Sequence, residues 1–183
     1  MSADRRPIAT ESMVLEPVEQ RHTGGIYAAA HASIDHLLPW MPWAVGVTEE
    51  HISGFNQAAE AAWREGREYP FAMVKNGRVV GIATLSVSHG GVGELGYWVA
   101  GDHAGLGLAT EAGLALLRFS FEQLGLYRVE LRAGVENVRS LRVAEKLGFT
   151  REGVLRNGLD GSEGPFDAVI FGFTPADWTR QSG

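Results

Sequence analysis

The chain has 183 residues, enough for one domain with a real core and short for two, and its 45% hydrophobic and 21% charged content is ordinary for a globular protein. A net charge of −6 gives no reason to expect broad affinity for nucleic acid or anionic membrane, and the absence of cysteine excludes a disulfide framework, a thiolate zinc site and a cysteine nucleophile. No run approaches the roughly 18 apolar residues of a membrane helix, and residues 1–12 lack the apolar core of a signal peptide, so the expected compartment is the cytoplasm.

Residues 1–10 are polar and expected to be loosely held. Residues 13–18 read as a short edge strand containing Pro17, and 20–36 as weak helix interrupted by Gly24 and Gly25. The stretch Pro39-Trp40-Met-Pro-Trp43 cannot be a helix interior; its tryptophans either line a ligand mouth or plug the core. Thr48 is placed to cap a helix running to about Glu68, with Ile52, Phe55, Ala59 and Trp63 on its buried face. Strands at 70–75 and 78–87 flank Asn76-Gly77, a strong hairpin signal. A glycine-rich turn at 88–93 leads to a strand at 94–100, and a mostly apolar helix follows from about Gly107 to Leu124. Residues 127–132 alternate as a strand with one apolar face, Asn137 caps the next helix, and Gly148 ends it. Strands at 149–156 and 166–173 enclose a loop at 157–165, and 175–178 closes the chain. The expected fold is α/β with one mixed sheet carrying helices on its faces, a single unit over 1–183 without linker or repeat.

The turn Ala104-Gly105-Leu106-Gly107-Leu108-Ala109, set between a strand and a helix, points unpaired backbone N–H groups at one spot where the helix dipole also favours an anion. It is a candidate phosphate seat, or simply a tight turn. Thr110 stands where a dinucleotide fingerprint has its third glycine, and the Gly-Lys-Ser/Thr of a P-loop is absent.

Taken in order, Glu94-Leu-Gly-Tyr-Trp98, the 105–109 turn, Asn137-x-x-Ser140 and Ala144-Glu-Lys146-Leu-Gly148-Phe149 resemble the GNAT superfamily of N-acetyltransferases. Within it, Pro39–Trp43, Glu152-Gly153-x-Leu155-Arg156 and Asp167 resemble the RimJ/RimL-like ribosomal-protein branch, and the likeness spans 13–178. The resemblance implies a mostly antiparallel, twisted sheet of about seven strands, splayed between the fourth and fifth, with acetyl-CoA as co-substrate and an amine as acceptor. It implies that pantetheine lies between the strands at 94–100 and 127–132, and that a bulge around Tyr97, Trp98 and Val99 offers N–H groups to the thioester carbonyl. It further implies that Gly105, Leu106, Gly107, Ala109 and Thr110 wrap the pyrophosphate and that Asn137 bonds the pantetheine arm.

Two departures from the superfamily pattern bear on this. Ala104 stands where Gln or Arg usually opens the turn, which predicts weaker cofactor binding. Ala144 stands where many members carry a catalytic tyrosine, and the branch looks instead to Ser140. Spacing independently puts Ser140, Ala144 and Leu147 on one inward stripe, where Ser140 either serves the leaving thiolate or is a small packing residue. Glu94 is the first candidate for general base, ahead of Glu130, Asp167 and His89. Trp40, Trp43 and the 157–165 loop are candidates for the acceptor site, and the histidines show no metal-ligand pattern. The expected activity is direct acetyl transfer to a primary amine, either a protein N-terminus or a small molecule, with no nucleic-acid or membrane partner and with the oligomeric state open, a homodimer included. The rival readings are a non-catalytic acyl-CoA-binding or sensing domain and a nucleotide-dependent enzyme of another family.

Overall fold

A computed structural model describes residues 5–88 and 90–182. Among them eight strands form one sheet: β1 (Ile8–Ala9), β2 (Val14–Pro17), β3 (Glu68–Lys75), β4 (Arg78–Val87), β5 (Val92–Val99), β6 (Arg128–Gly134), β7 (Thr150–Gly161) and β8 (Gly164–Phe173). The spatial order is β1-β2-β3-β4-β5-β6-β8-β7. Every neighbouring pair is antiparallel except β5 with β6. A parallel pair needs a crossover, and α4 (Leu108–Arg118) with its π-helical extension Phe119–Gln123 supplies it. The eighth strand beyond the expected seven is the two-residue β1, which pairs Ile8 with Leu15.

Local chemistry explains most boundaries. Asn76 and Gly77 both adopt positive φ (50° and 74°), the requirement of a two-residue hairpin turn between β3 and β4. Thr48 accepts the N–H of His51 at 3.2 Å, and Glu49 and Glu50 follow in the first turn of α3 (Glu49–Arg64), where the dipole favours them. Ile52, Ala59 and Trp63 of that helix are buried. The remaining helices are α1 (Thr23–His31), α2 (Ile34–Leu37), α5 (Val138–Lys146) and α6 (Pro175–Ser182).

The core divides between the two faces of the sheet. On one, α4 and α5 bring Leu116, Ala144 and Leu147 against Leu95, Leu131 and Phe171. On the other, α1, α2 and the first turns of α3 bring Ile26, Leu37 and Ile52 against Ala72, Ile82 and Trp98.

Three expectations are corrected. Gly24 and Gly25 do not interrupt α1; a Cβ at Gly25 would stand 2.8 Å from Val79 Cγ2, so the glycine lets the helix approach β4. The 157–165 segment is mostly strand, with Leu159, Asp160 and Gly161 paired to Phe166, Pro165 and Gly164 after a register irregularity. Within residues 1–10, the described part is tied down: Arg5 donates to Val18 O at 2.8 Å and lies over the Trp63 ring.

At the far edge, Arg128 on β6 reaches across β8 to grip both oxygens of Glu152 on β7 and also bonds Glu130 at 3.0 Å. The guanidinium crosses over Gly172, where a Cβ would fall 2.6 Å from Arg128 Nη1.

Gly81 pairs with Val99, and a Cβ there would collide with the Trp98 carbonyl oxygen. Gly81→Ala is therefore expected to cost about 3 kcal/mol by overpacking, read as a lowered midpoint in urea unfolding.

Candidate active site

Strands β5 and β6 pair from Val92↔Arg128 to Leu95↔Leu131 and no further. Each keeps its outer partner: β5 stays with β4 to Val99↔Gly81, and β6 with β8 to Gly134↔Ala168. The sheet twist then rotates the two halves apart, leaving a cleft of about 820 Å³. Ala100 donates to Val80 O at 2.8 Å, so by alternation the N–H groups of Tyr97 and Val99 face the gap. The β4–β5 register runs unshifted from Gly81↔Val99 to Val87↔Gly93, so the bulge expected around Tyr97–Val99 is absent. Divergence from β6 frees those N–H groups without it.

At the mouth of the split, Gly105 and Gly107 adopt φ of 81° and 83°, which only glycine takes without strain. A Cβ on either would meet nothing within 4 Å, so the space beside the turn is open. No backbone partner is present for the N–H groups of Gly105, Leu106 and Gly107 among the described residues, and the first intrahelical bond of α4 is Glu111 to Gly107. The N–H groups of Leu108, Ala109 and Thr110 are thus the free donors of a helix N-terminus.

The first turn of α5 forms the other wall. Asn137 Oδ1 accepts the Ser140 N–H at 3.1 Å, and its Nδ2 makes no hydrogen bond among the described residues. Ser140 Oγ lies 2.8 Å from Tyr97 Oη. Burial pushes the Tyr97 phenol up to about 12, against a smaller opposing effect of the Ser140 hydrogen bond. Arg142 and Lys146 line the cleft from the same helix and have no ion-pair partner among the described residues.

Glu94 sits at the crotch of the split, one residue before the last rung, its Oε2 3.8 Å from Arg132 Nε. That Nε is buried and makes no hydrogen bond among the described residues. His36, also lining the cleft, is held below its ordinary pKa by burial and then by the nearby Arg139 guanidinium. Trp40 closes the end of the cleft with Phe166, ring centroids 5.9 Å apart.

Of the residues singled out from sequence, Trp40, Glu94, Trp98, Val99, Gly105, Gly107, Ala109, Thr110, Asn137 and Ser140 all border this one cleft. Leu106 does not: its side chain is 62% exposed, although its N–H remains part of the turn. Trp43 is not among the residues bordering the cleft either; it packs on Trp98, ring centroids 5.7 Å apart. Glu130 is occupied by Arg128 and Arg132. Asp167 accepts the Asn157 N–H at 2.9 Å and lies off the cleft. His89 lies outside the described residues. Sequence reasoning passed over Tyr97 as the partner of Ser140, although alternation with Leu95 would have put it on the inner face, and over Arg142 and Lys146, whose four-residue spacing marks a common stripe. Among the described residues no cluster of metal-ligating side chains occurs, and no helix is long and apolar enough to cross a membrane.

An open mixed sheet whose parallel pair parts beside an amide-lined helix start defines the acyl-CoA-dependent N-acetyltransferase class of fold. The profile of the acetyltransferase (GNAT) domain matches residues 12–150, and the chain belongs to that family. Mycobacterium smegmatis RimJ, solved in complex with CoA-disulfide, superposes with a TM-score of 0.88 at 28% identity, over 94% of this chain and 89% of that one. The putative ribosomal N-acetyltransferase YdaF of Bacillus subtilis is 38% identical over 85 residues, 46% of each protein. The Escherichia coli ribosomal-protein-serine acetyltransferase is 25% identical over 150 residues, 80% of this chain and 84% of that protein. The chain spans about half the length of several curated relatives it matches.

Asn137→Ala removes the cap of α5 and is expected to destabilise the protein by about 1 kcal/mol, measured by urea unfolding.

Proposed function

We propose that the chain, acting as one unit over residues 1–183, transfers acetyl from acetyl-CoA directly to a primary amine in a ternary complex. The observation that carries this is the parting of β5 from β6 after Leu95 and Leu131, which opens a cleft bordered by free N–H groups at both its waist and its mouth. The residues present suit the co-substrate. The N–H groups from Gly105 to Thr110 form an anion cradle for the pyrophosphate, and the unpaired Arg142 and Lys146 add the positive charge that Ala104 does not. Asn137 Nδ2 is free to donate to the amide-bearing pantetheine arm. The exposed edge of β5 offers the Tyr97 and Val99 N–H groups to the thioester oxygen, where negative charge develops as the amine attacks.

Glu94 takes the proton that the amine nitrogen loses, directly or through water. As the C–S bond breaks, the electron pair leaves on sulfur, and Ser140 Oγ lies on the cleft wall as a hydrogen-bond donor to it. Composition supports direct transfer, since no cysteine exists to carry the acetyl group. Trp40 and Phe166 wall the acceptor end.

For the acceptor, the likeness to a ribosomal-protein-serine acetyltransferase and to a putative ribosomal N-acetyltransferase favours an amine of a protein, read here as its N-terminal α-amine, over a small-molecule amine, and such an acceptor would place the chain in the cytoplasm. Nothing in the cleft calls for nucleic acid or membrane, and a homodimer is compatible with it.

The test combines thermal shift against CoA, NAD and ATP with thiol release from acetyl-CoA over peptides that differ only in their first residue. Stabilisation by CoA alone and turnover on a subset of peptides are expected. Binding of NAD or ATP but not CoA, or saturable CoA binding with no turnover on any amine, overturns the reading. Glu94→Gln should lower kcat by about 100-fold with little change in KM for acetyl-CoA.

A further inference from the structure

The hydroxyls of Tyr97 on β5 and Ser140 on α5 meet beneath the split, 2.8 Å apart, and neither makes another hydrogen bond among the described residues. Only one of their two protons can lie in the shared bond, so the other is left to point elsewhere. Ser140 Oγ makes no hydrogen bond to a backbone carbonyl among the described residues, its partner being the Tyr97 hydroxyl. Its backbone N–H is taken by Asn137, and Tyr97 is the one side-chain partner of its hydroxyl among the described residues. Of the two groups a phenol is the stronger donor and an aliphatic alcohol the better acceptor, and burial keeps this phenol protonated well past neutral pH.

We propose that Tyr97 is a positioning residue: by donating to Ser140 Oγ it turns the Ser140 proton into the cleft, towards the sulfur of bound CoA. This deepens the acetyl-transfer reading above and rests on it. No proton leaves serine in this scheme. The electron pair of the broken C–S bond stays on sulfur and is stabilised by the Ser140 O–H, itself polarised by the phenol. The Tyr97 side chain acts through Ser140; only the backbone N–H of the residue is offered to the thioester.

An acceptor-free measurement isolates the effect. A donor aimed at sulfur favours the thiolate form of bound CoA, so the affinity for CoA relative to desulfo-CoA should rise with pH. The other charged or titratable groups bordering the cleft are Glu94 on β5, His36 on α2, His103 before α4, Arg132 on β6, Glu136 before α5, and Arg139, Arg142 and Lys146 on α5. Their effect on the parts the two ligands share cancels in the ratio, and their effect on the thiolate is common to wild type and variant, so it cancels when Tyr97→Phe is compared with wild type. By calorimetry at pH 7 and pH 9, the wild-type ratio should grow by about tenfold beyond what the free thiol's own ionisation gives, the size of one hydrogen bond to a charged group. Tyr97→Phe should abolish most of that gain while keeping the wild-type affinity for desulfo-CoA and a near wild-type Tm. Ser140→Ala should do the same, and the double variant should lose nothing more. A wild-type pH response in Tyr97→Phe, or losses that add in the double variant, overturns the assignment while leaving the acetyl-transfer reading intact. Failure of wild-type protein to bind either ligand overturns that reading and the assignment with it.

Discussion

The rung between Leu95 and Leu131 is the last that β5 and β6 share, and the functional geometry follows from its being last. A strand that keeps one neighbour and loses the other carries unpaired N–H and C=O groups along one edge, which in a closed sheet would be a liability. Here the edge lies inside the molecule, walled by α5 and by the residues around Trp40, so it is reserved for an extended ligand. The same divergence sets Glu94 where the walls converge and makes room beneath for the first turn of α5. Had the parallel ladder continued, the cleft, the free N–H groups and the approach to Ser140 would vanish together.

Helix α5 illustrates how one short element serves several ends. Its apolar stripe, through Ala144 and Leu147, anchors it in the core. Its first turn is closed by Asn137, which leaves the second amide atom of that side chain for the cleft. Its outer stripe carries Arg142 and Lys146 alongside the amide-lined turn of α4. The turn has no polar side chain at Ala104, and Arg142 and Lys146 border the same cleft.

Where a feature depended on local chemistry, the sequence revealed it. Asn76-Gly77, Thr48 and Asn137 act through backbone preferences and bonds spanning three residues, and they appear where the sequence indicates. The order of strands and the glycine turn before α4 were legible for the same reason. Features set by distant partners were not. Gly24 and Gly25 look like helix breakers until Val79, from another element, is seen pressing on Gly25. Gly158 and Gly161 look like loop residues, yet a Cβ on either would fall 2.8 Å from Leu155 Cβ or from Phe166 Cε1, so they are strand positions stripped for close packing. Trp40 and Trp43 lie in an irregular stretch with no period to assign a direction, and only one of them faces the cleft. Tyr97 was visible as a strand residue, but its partner lies 43 positions away on a helix whose rotation no single segment fixes.

The bridge from Arg128 to Glu152 passes over a strand that, at Gly172, has no side chain to obstruct it. Beyond joining an edge strand to its neighbour, it fastens the outermost strand to one two places inward. β6, β8 and β7 are thereby clamped into a single stiff leaf, whose margin cannot peel away without breaking the guanidinium clasp. Any breathing of the cleft must then be a swing of that whole leaf about the hinge of rungs ending at Leu95 and Leu131, and a ligand threading the gap meets a wall that moves as one piece.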